Sequence, residues 1–123
     1  MLDVPLPLSE MRVLVVEDEP LVAIMLEDFV QDLGCRFVQT VGTTSGALEA
    51  LETATPDLVI LDVTLNGAEP DFGLADALAA KGIPFLFSSG HHPDIVPERH
   101  RDRPFLGKPF ATSDLVEAIA RCR

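Results

Sequence analysis

The chain has 123 residues, 20 of them acidic against nine Lys and Arg, giving a formal net charge of −11. That length suits one domain able to bury its own core, and 47% hydrophobic with 24% charged residues excludes a disordered acidic tail. The negative balance excludes a nucleic-acid partner, which calls for a basic surface, and no apolar run approaches the roughly 18 residues of a membrane span.

Residues 1–10, MLDVPLPLSE, lack the basic start of a signal peptide. They read as a flexible tail ahead of one domain over 11–123, in a cytoplasmic protein with no membrane partner. Cys35 and Cys122 stand far apart without a CxxC spacing and read as structural thiols. The charge is uneven: residues 3–32 hold eight acids with Arg12 as their only base, whereas six of the nine bases lie from Arg99 onward.

Residues 12–16, RVLVV, form a short Val-rich apolar run of the kind expected in a buried parallel strand. It stops at Glu17-Asp18-Glu19-Pro20, where the proline and the acids favour a helix start. Val22, Leu26, Phe29, Val30 and Leu33 recur at helical spacing, and Gly34 is placed to end that helix. A second strand is predicted over 36–41, RFVQTV, and Thr44 can cap a second helix carrying Ala47, Leu48 and Leu51. Pro56 breaks the chain before a third strand, DLVIL at 57–61, which ends at Asp62. After an irregular stretch at 63–70 come a helix over about 71–81, a stop at Gly82, and a fourth strand over 83–87 that ends at Ser88-Ser89-Gly90. Residues 91–103 carry two prolines and three histidines with no apolar stripe. A brief fifth strand at 105–107 and a helix over 112–121, with Leu115, Val116 and Ile119 on one face, complete the chain.

Strands alternating with helices predict an α/β fold, a doubly wound five-stranded parallel sheet with helices on both faces, because parallel connections cross over through helices. Ligands of such sheets bind beyond the carboxyl ends of the strands. The residues found there are Glu17-Asp18-Glu19, Asp62, Ser89-Gly90 and Lys108-Pro109. Each alone is an ordinary loop residue or cap. Together they follow four different strands onto one rim.

Carboxylates crowded there repel. At about 5 Å and an effective dielectric near 20, each pair costs on the order of 3 kcal/mol, so Glu17, Asp18 and Asp62 are expected to bind a cation or shift a pKa. All are hard oxygen donors, which favours magnesium. A carboxylate beside magnesium, with a lysine and a hydroxyl opposite, suits the uptake of a phosphoryl group as an aspartyl phosphate. Asp62, after the most apolar and hence central strand, is the best nucleophile.

These segments resemble the receiver domain of two-component response regulators over about residues 11–122. VLVVEDEP at 13–20 is similar to the family's acidic pair, PDLVILDV at 56–63 to its phosphoacceptor strand, and GKPF at 107–110 to its lysine segment. The resemblance implies a flavodoxin-like sheet of order 2-1-3-4-5 and magnesium held by Glu17, Asp18, Asp62 and the Thr64 backbone carbonyl. It implies phosphate accepted on Asp62 and contacted by Lys108, and Ser89 as the hydroxyl that moves toward the phosphoryl group, followed by Phe105. It also implies that the Lys108–Pro109 bond is often cis. Such a domain catalyses its own phosphorylation and dephosphorylation and is otherwise no enzyme. PFLFSSGHH at 84–92 resembles the PFxFATGY stretch of the alphaproteobacterial stand-alone FAT GUY group, with Ser88 and Ser89 in place of Ala and Thr.

Only 17 residues separate Gly90 from Lys108, so the fourth helix is expected to be short or irregular, interrupted by Pro93 and Pro97. Phosphorylation is expected to draw Ser89 inward and bias Phe105. Thr64 and His91, each two residues past a site residue, are expected to tune the lifetime of the phosphate. A solvated polar loop is the simplest account of His91, His92 and His100. Arg99, Arg101 and Arg103 form a basic patch without an assigned role. Glu27, Asp28 and Asp32 read as the solvated face of the first helix, where receivers commonly meet a kinase.

A stand-alone receiver served by a histidine kinase or a histidine phosphotransfer protein is thus expected, with no output domain and with output through a downstream protein target or a phosphate sink. A pseudo-receiver that binds partners without phosphorylation is the alternative. A haloacid dehalogenase-type phosphatase would need a DxDx pattern after the first strand. A nucleotide-binding domain would need a GxGxxG or phosphate-cradling loop, and neither motif is present.

Overall fold

The computed structural model describes residues 8–65 and 71–122. Five strands, β1 (Arg12–Val16), β2 (Phe37–Val41), β3 (Leu58–Leu61), β4 (Phe85–Ser89) and β5 (Phe105–Gly107), form one parallel sheet in the order β2-β1-β3-β4-β5. Four helices connect or close it: α1 (Pro20–Asp32), α2 (Thr44–Thr53), α3 (Gly73–Ala80) and α4 (Thr112–Cys122). The predicted fold class and strand order are those observed. Most of the expected tail at 1–10 lies outside the described residues; Leu8–Glu10 form a short 3-10 turn.

Strand alternation divides the core in two. Val13, Val15, Leu58, Ile60, Leu86 and Leu106 face α1 and α4, where they meet Leu26, Val30, Leu115 and Ile119. Leu14, Val16, Val59, Leu61, Phe85 and Phe87 face α2 and α3 and meet Ala47, Leu74, Ala75 and Leu78. Every residue of β3 is buried, as the central strand of a sheet covered on both faces must be. Each such Leu or Ile contributes roughly 1.5–3 kcal/mol by leaving water.

Several boundaries differ from the predicted ones, for local reasons. Thr43 rather than Thr44 caps α2, its Oγ1 accepting from the Gly46 amide at 3.0 Å. Asp71 lies outside α3 because its Oδ1 accepts the Gly73 amide at 2.8 Å, an alternative to helical bonding that short acidic side chains offer. Strand β4 begins two residues later than predicted. The Ile83 amide still closes the end of α3 on Leu78, and Pro84 has no N–H to give. The strand then runs on through Ser88 and Ser89. Gly34 (φ 105°) and Gly82 (φ 70°) follow the C-caps of α1 and α3 in the left-handed region that ends a helix most cheaply with glycine.

Between β4 and β5, two 3-10 turns, Pro93–Ile95 and Glu98–His100, stand where a helix was expected to be short or irregular. Each begins at or just after a proline, and their bonds are local. Val96 anchors this segment in the core.

Candidate functional site

The chain leaves β1 at Glu17, β3 at Asp62, β4 at Ser89 and β5 at Lys108, all on one rim because the strands are parallel. Neighbouring backbones lock these exits together. The Asp62 amide donates to Val16 O at 2.9 Å, the Glu17 amide to Val41 O at 2.9 Å, and the Lys108 amide to Ser89 O at 2.9 Å.

Glu17, Asp18 and Asp62 each offer a carboxylate oxygen within 4.8 Å of the others. Glu17 and Asp62 are buried and Asp18 is half-buried. Lys108 enters from β5, its ammonium bonded to Glu17 Oε1 and 3.3 Å from Asp62 Oδ2. The other oxygen of Asp62 is held by Thr64, through its amide at 3.0 Å and its hydroxyl at 3.1 Å. The second oxygen of Glu17 accepts the Glu19 amide at 3.2 Å.

One ammonium therefore serves two carboxylates, unequally. Burial pushes the Glu17 carboxyl up to about 7, although the Lys108 and Glu19 donors pull it down. Burial acts on Asp62 in the same sense but is outweighed by the Thr64 amide and Lys108, so Asp62 stays below the ordinary carboxylate value. Burial also works against the Lys108 charge, and its two acidic partners more than restore it, raising its pKa. The result is an ionised Asp62 with Glu17 as the weaker acid beside it.

Ser89 is fully buried, its Oγ accepting the His91 amide at 3.1 Å. The His91 side chain is exposed. Phe105 is half-buried and tilts against Phe87 with ring centroids 6.4 Å apart. The Lys108–Pro109 peptide is cis, as the resemblance implied.

One expectation is corrected. His100 is not part of a solvated loop: it is 3% exposed, with Nε2 2.7 Å from Asp76 Oδ1. The three arginines each have a contact within the chain. Arg99 is paired with Asp76, Arg101 Nε donates to Val96 O, and the Arg103 guanidinium lies 4.3 Å from the Phe85 ring centroid. Sequence reasoning passed over Asp76 altogether, since nothing in a helix of small apolar residues signals a partner beyond β4. His92 fits its expected exposed place, accepting the Asp94 amide at Nδ1.

Residues 13–120 match the family model for the response regulator receiver domain. The chain belongs to this family. Among solved structures, this receiver is similar to SdrG from Sphingomonas melonis Fr1, with a TM-score of 0.80 and 47% identity over 91% of this chain and 95% of SdrG. A beryllofluoride-activated conformation of SdrG gives a TM-score of 0.78 at 48% identity, covering 89% of this chain and 93% of that one. The receiver is also 35% identical over 112 residues to the transcriptional regulatory protein PdtaR of Mycobacterium tuberculosis, covering 88% of this chain and 54% of PdtaR. The chain spans about half the length of the curated relatives it matches. Among the described residues no helix is long and apolar enough to cross a membrane.

Proposed function

We propose that this receiver accepts a phosphoryl group on Asp62 from a phosphohistidine of a histidine kinase or phosphotransfer protein in two-component signalling. The observation that carries this reading is the convergence of Glu17, Asp18 and Asp62 with Lys108 on one rim. Three oxygen donors so close fit a hard divalent cation, and magnesium is the ion that suits phosphoryl transfer, with the Thr64 backbone carbonyl as a further ligand. When bound, magnesium supplies neutralising charge to the oxygens of the transferring group.

The chain's own residues do the rest. Asp62 is kept ionised, as a nucleophile must be. One of its oxygens bonds to phosphorus while the phosphorus–nitrogen bond of the donor breaks, and the leaving imidazole takes up a proton. Lys108, released from shared service to two carboxylates, is placed to meet the phosphoryl oxygens. Ser89 provides the hydroxyl that moves toward the phosphoryl group, and Phe105 follows. A later attack by water returns Asp62 and inorganic phosphate, a step whose rate Thr64 and His91 tune in this reading. Leu21, Ile24 and Met25 leave an apolar patch exposed on α1, next to the acidic Asp28. This patch supports docking of the phosphodonor on that helix.

Phosphotransfer from a panel of the host's histidine kinases, with acetyl phosphate and magnesium as a general donor, tests the proposal. Label must appear on the wild-type chain and vanish in Asp62→Asn. Absence of label from every donor would favour a partner-binding module without phosphorylation.

A further inference from the structure

The side-chain hydrogen bonds from the segment between β4 and β5 to the rest of the domain meet at one carboxylate. Asp76, on the exposed side of α3, accepts from Arg99 Nε at 2.7 Å and Nη2 at 3.0 Å, and it meets His100 Nε2 at 2.7 Å. His100 lies beneath, its ring edge-on to Phe85 at 5.7 Å and Phe87 at 6.2 Å between centroids. A polar ring is tolerated among phenylalanines because its nitrogen reaches an acceptor. The segment's other holds are apolar or aromatic: Val96 in the core and the Arg103 guanidinium over the Phe85 ring. The backbone bonds within 92–103 are local, and among the described residues the side-chain hydrogen bonds that leave the segment all end on Asp76.

Two lines of contact run from the phosphoacceptor rim to His100. Along the first, the carbonyl of Val63, next to Asp62, accepts the Asp71 amide at 2.8 Å. Phe72 then caps α3, and the Asp76 amide donates to Phe72 O at 2.9 Å. Along the second, Phe87 lies two residues before Ser89 on the same strand, and its ring touches Phe72 (5.8 Å), Phe105 (6.4 Å) and His100. The lines close on Phe105, because the His100 carbonyl accepts the Arg103 amide at 3.1 Å just before β5.

We propose that Asp76 and His100 are positioning residues for the phosphorylation-dependent switch. Their contact clamps residues 91–104 onto α3 in the resting state and sets how freely Phe105 follows Ser89. The inference rests on Asp62 as the phosphoacceptor. A phosphoryl group there adds charge beside the carbonyl that anchors the entry to α3. Any shift of that helix carries Asp76 with it, so the contacts to Arg99 and His100 either break or drag the segment along. An exposed ion pair such as Asp76–Arg99 alone would hold little. The buried histidine makes the clamp selective, because losing its acceptor leaves a polar ring stranded among aromatic neighbours.

Amide NMR spectra of the full chain, with and without beryllofluoride and magnesium, test the clamp in Asp76→Asn, Asp76→Glu and His100→Phe. The phenylalanine keeps the packing and loses the bond, so a merely structural His100 would shift only resonances next to position 100, and not along the direction beryllofluoride drives them. Positioning predicts that Asp76→Asn and His100→Phe both move resonances of residues 91–105 toward their activated places without beryllofluoride. The activated-like population should rise about five-fold or more, β1 and β3 resonances should stay put, and Asp76→Glu should recover part of the resting pattern. Shifts confined to the neighbours of the substituted residue in both variants, with the rest of 91–105 at wild-type positions with and without beryllofluoride, would overturn the proposal. A wild-type spectrum that beryllofluoride and magnesium leave unchanged would defeat the phosphoacceptor reading itself and take the clamp's switching role with it.

Discussion

Thr64 holds a single oxygen of Asp62 with two donors, its amide at 3.0 Å and its hydroxyl at 3.1 Å, while Lys108 faces the other oxygen at 3.3 Å. The carboxylate is therefore oriented before any ligand arrives. Thr64→Val keeps the shape and the amide bond but removes the hydroxyl. It should lower the stability of the metal-free domain by about 1 kcal/mol in urea unfolding. An unchanged midpoint would mean that water replaces the hydroxyl without loss.

Ser88 presents the reverse case. Its hydroxyl is buried on β4 with no hydrogen-bond partner among the described residues. Removing an unsatisfied buried group relieves its desolvation cost, so Ser88→Ala should stabilise the domain by about 1 kcal/mol. Thermal unfolding measures this. A lower melting temperature would show that the hydroxyl has a partner in solution.

Magnesium should stabilise the domain, because three crowded carboxylates gain a common counter-ion. At about 100 times its Kd, the ion adds about 2.7 kcal/mol to the unfolding free energy. Asp18→Asn removes one of the acids and should weaken binding at least about tenfold in a calorimetric titration. Chelation should return both proteins to their metal-free stabilities.

Acid should loosen the segment after β4 before it unfolds the sheet. Arg99 and His100 hold the Asp76 carboxyl at about 2, below its ordinary 3.8. A depressed folded value means that this contribution is complete above about pH 4 and is lost as pH falls toward 2. Protection factors of the amides in 91–104, exchange rates taken relative to the intrinsic rate at each pH, should fall across that window in the wild type. In Asp76→Asn protection should already be low at neutral pH and show no such acid step.

The site was legible where topology and composition agree. An apolar run that ends in a charged residue marks the exit of a buried strand, and parallel pairing places all such exits on one rim. Glu17, Asp18, Asp62 and Lys108 could be assembled without coordinates for that reason. The aromatic and polar packing around His100 could not. Its burial depends on Asp76, 24 residues earlier, and the prolines at 93 and 97 leave the intervening chain without a period that would mark an inward face. Separation in sequence likewise hid the roles of Arg99, whose partner is Asp76, and of Arg103, whose partner is Phe85. Local turn chemistry accounts for the remaining differences: two adjacent threonines offer the same capping hydroxyl, and the extended backbone of Thr43 (φ −138°, ψ 158°) is what makes it the cap.

Four of the seven phenylalanines, Phe72, Phe85, Phe87 and Phe105, share one face of the sheet, and the chain has no tryptophan or tyrosine. The protein is thus almost dark in near-ultraviolet absorbance and fluorescence. An indole placed at Phe105 would shine against no background, so each turnover of the switch could be followed by emission in real time.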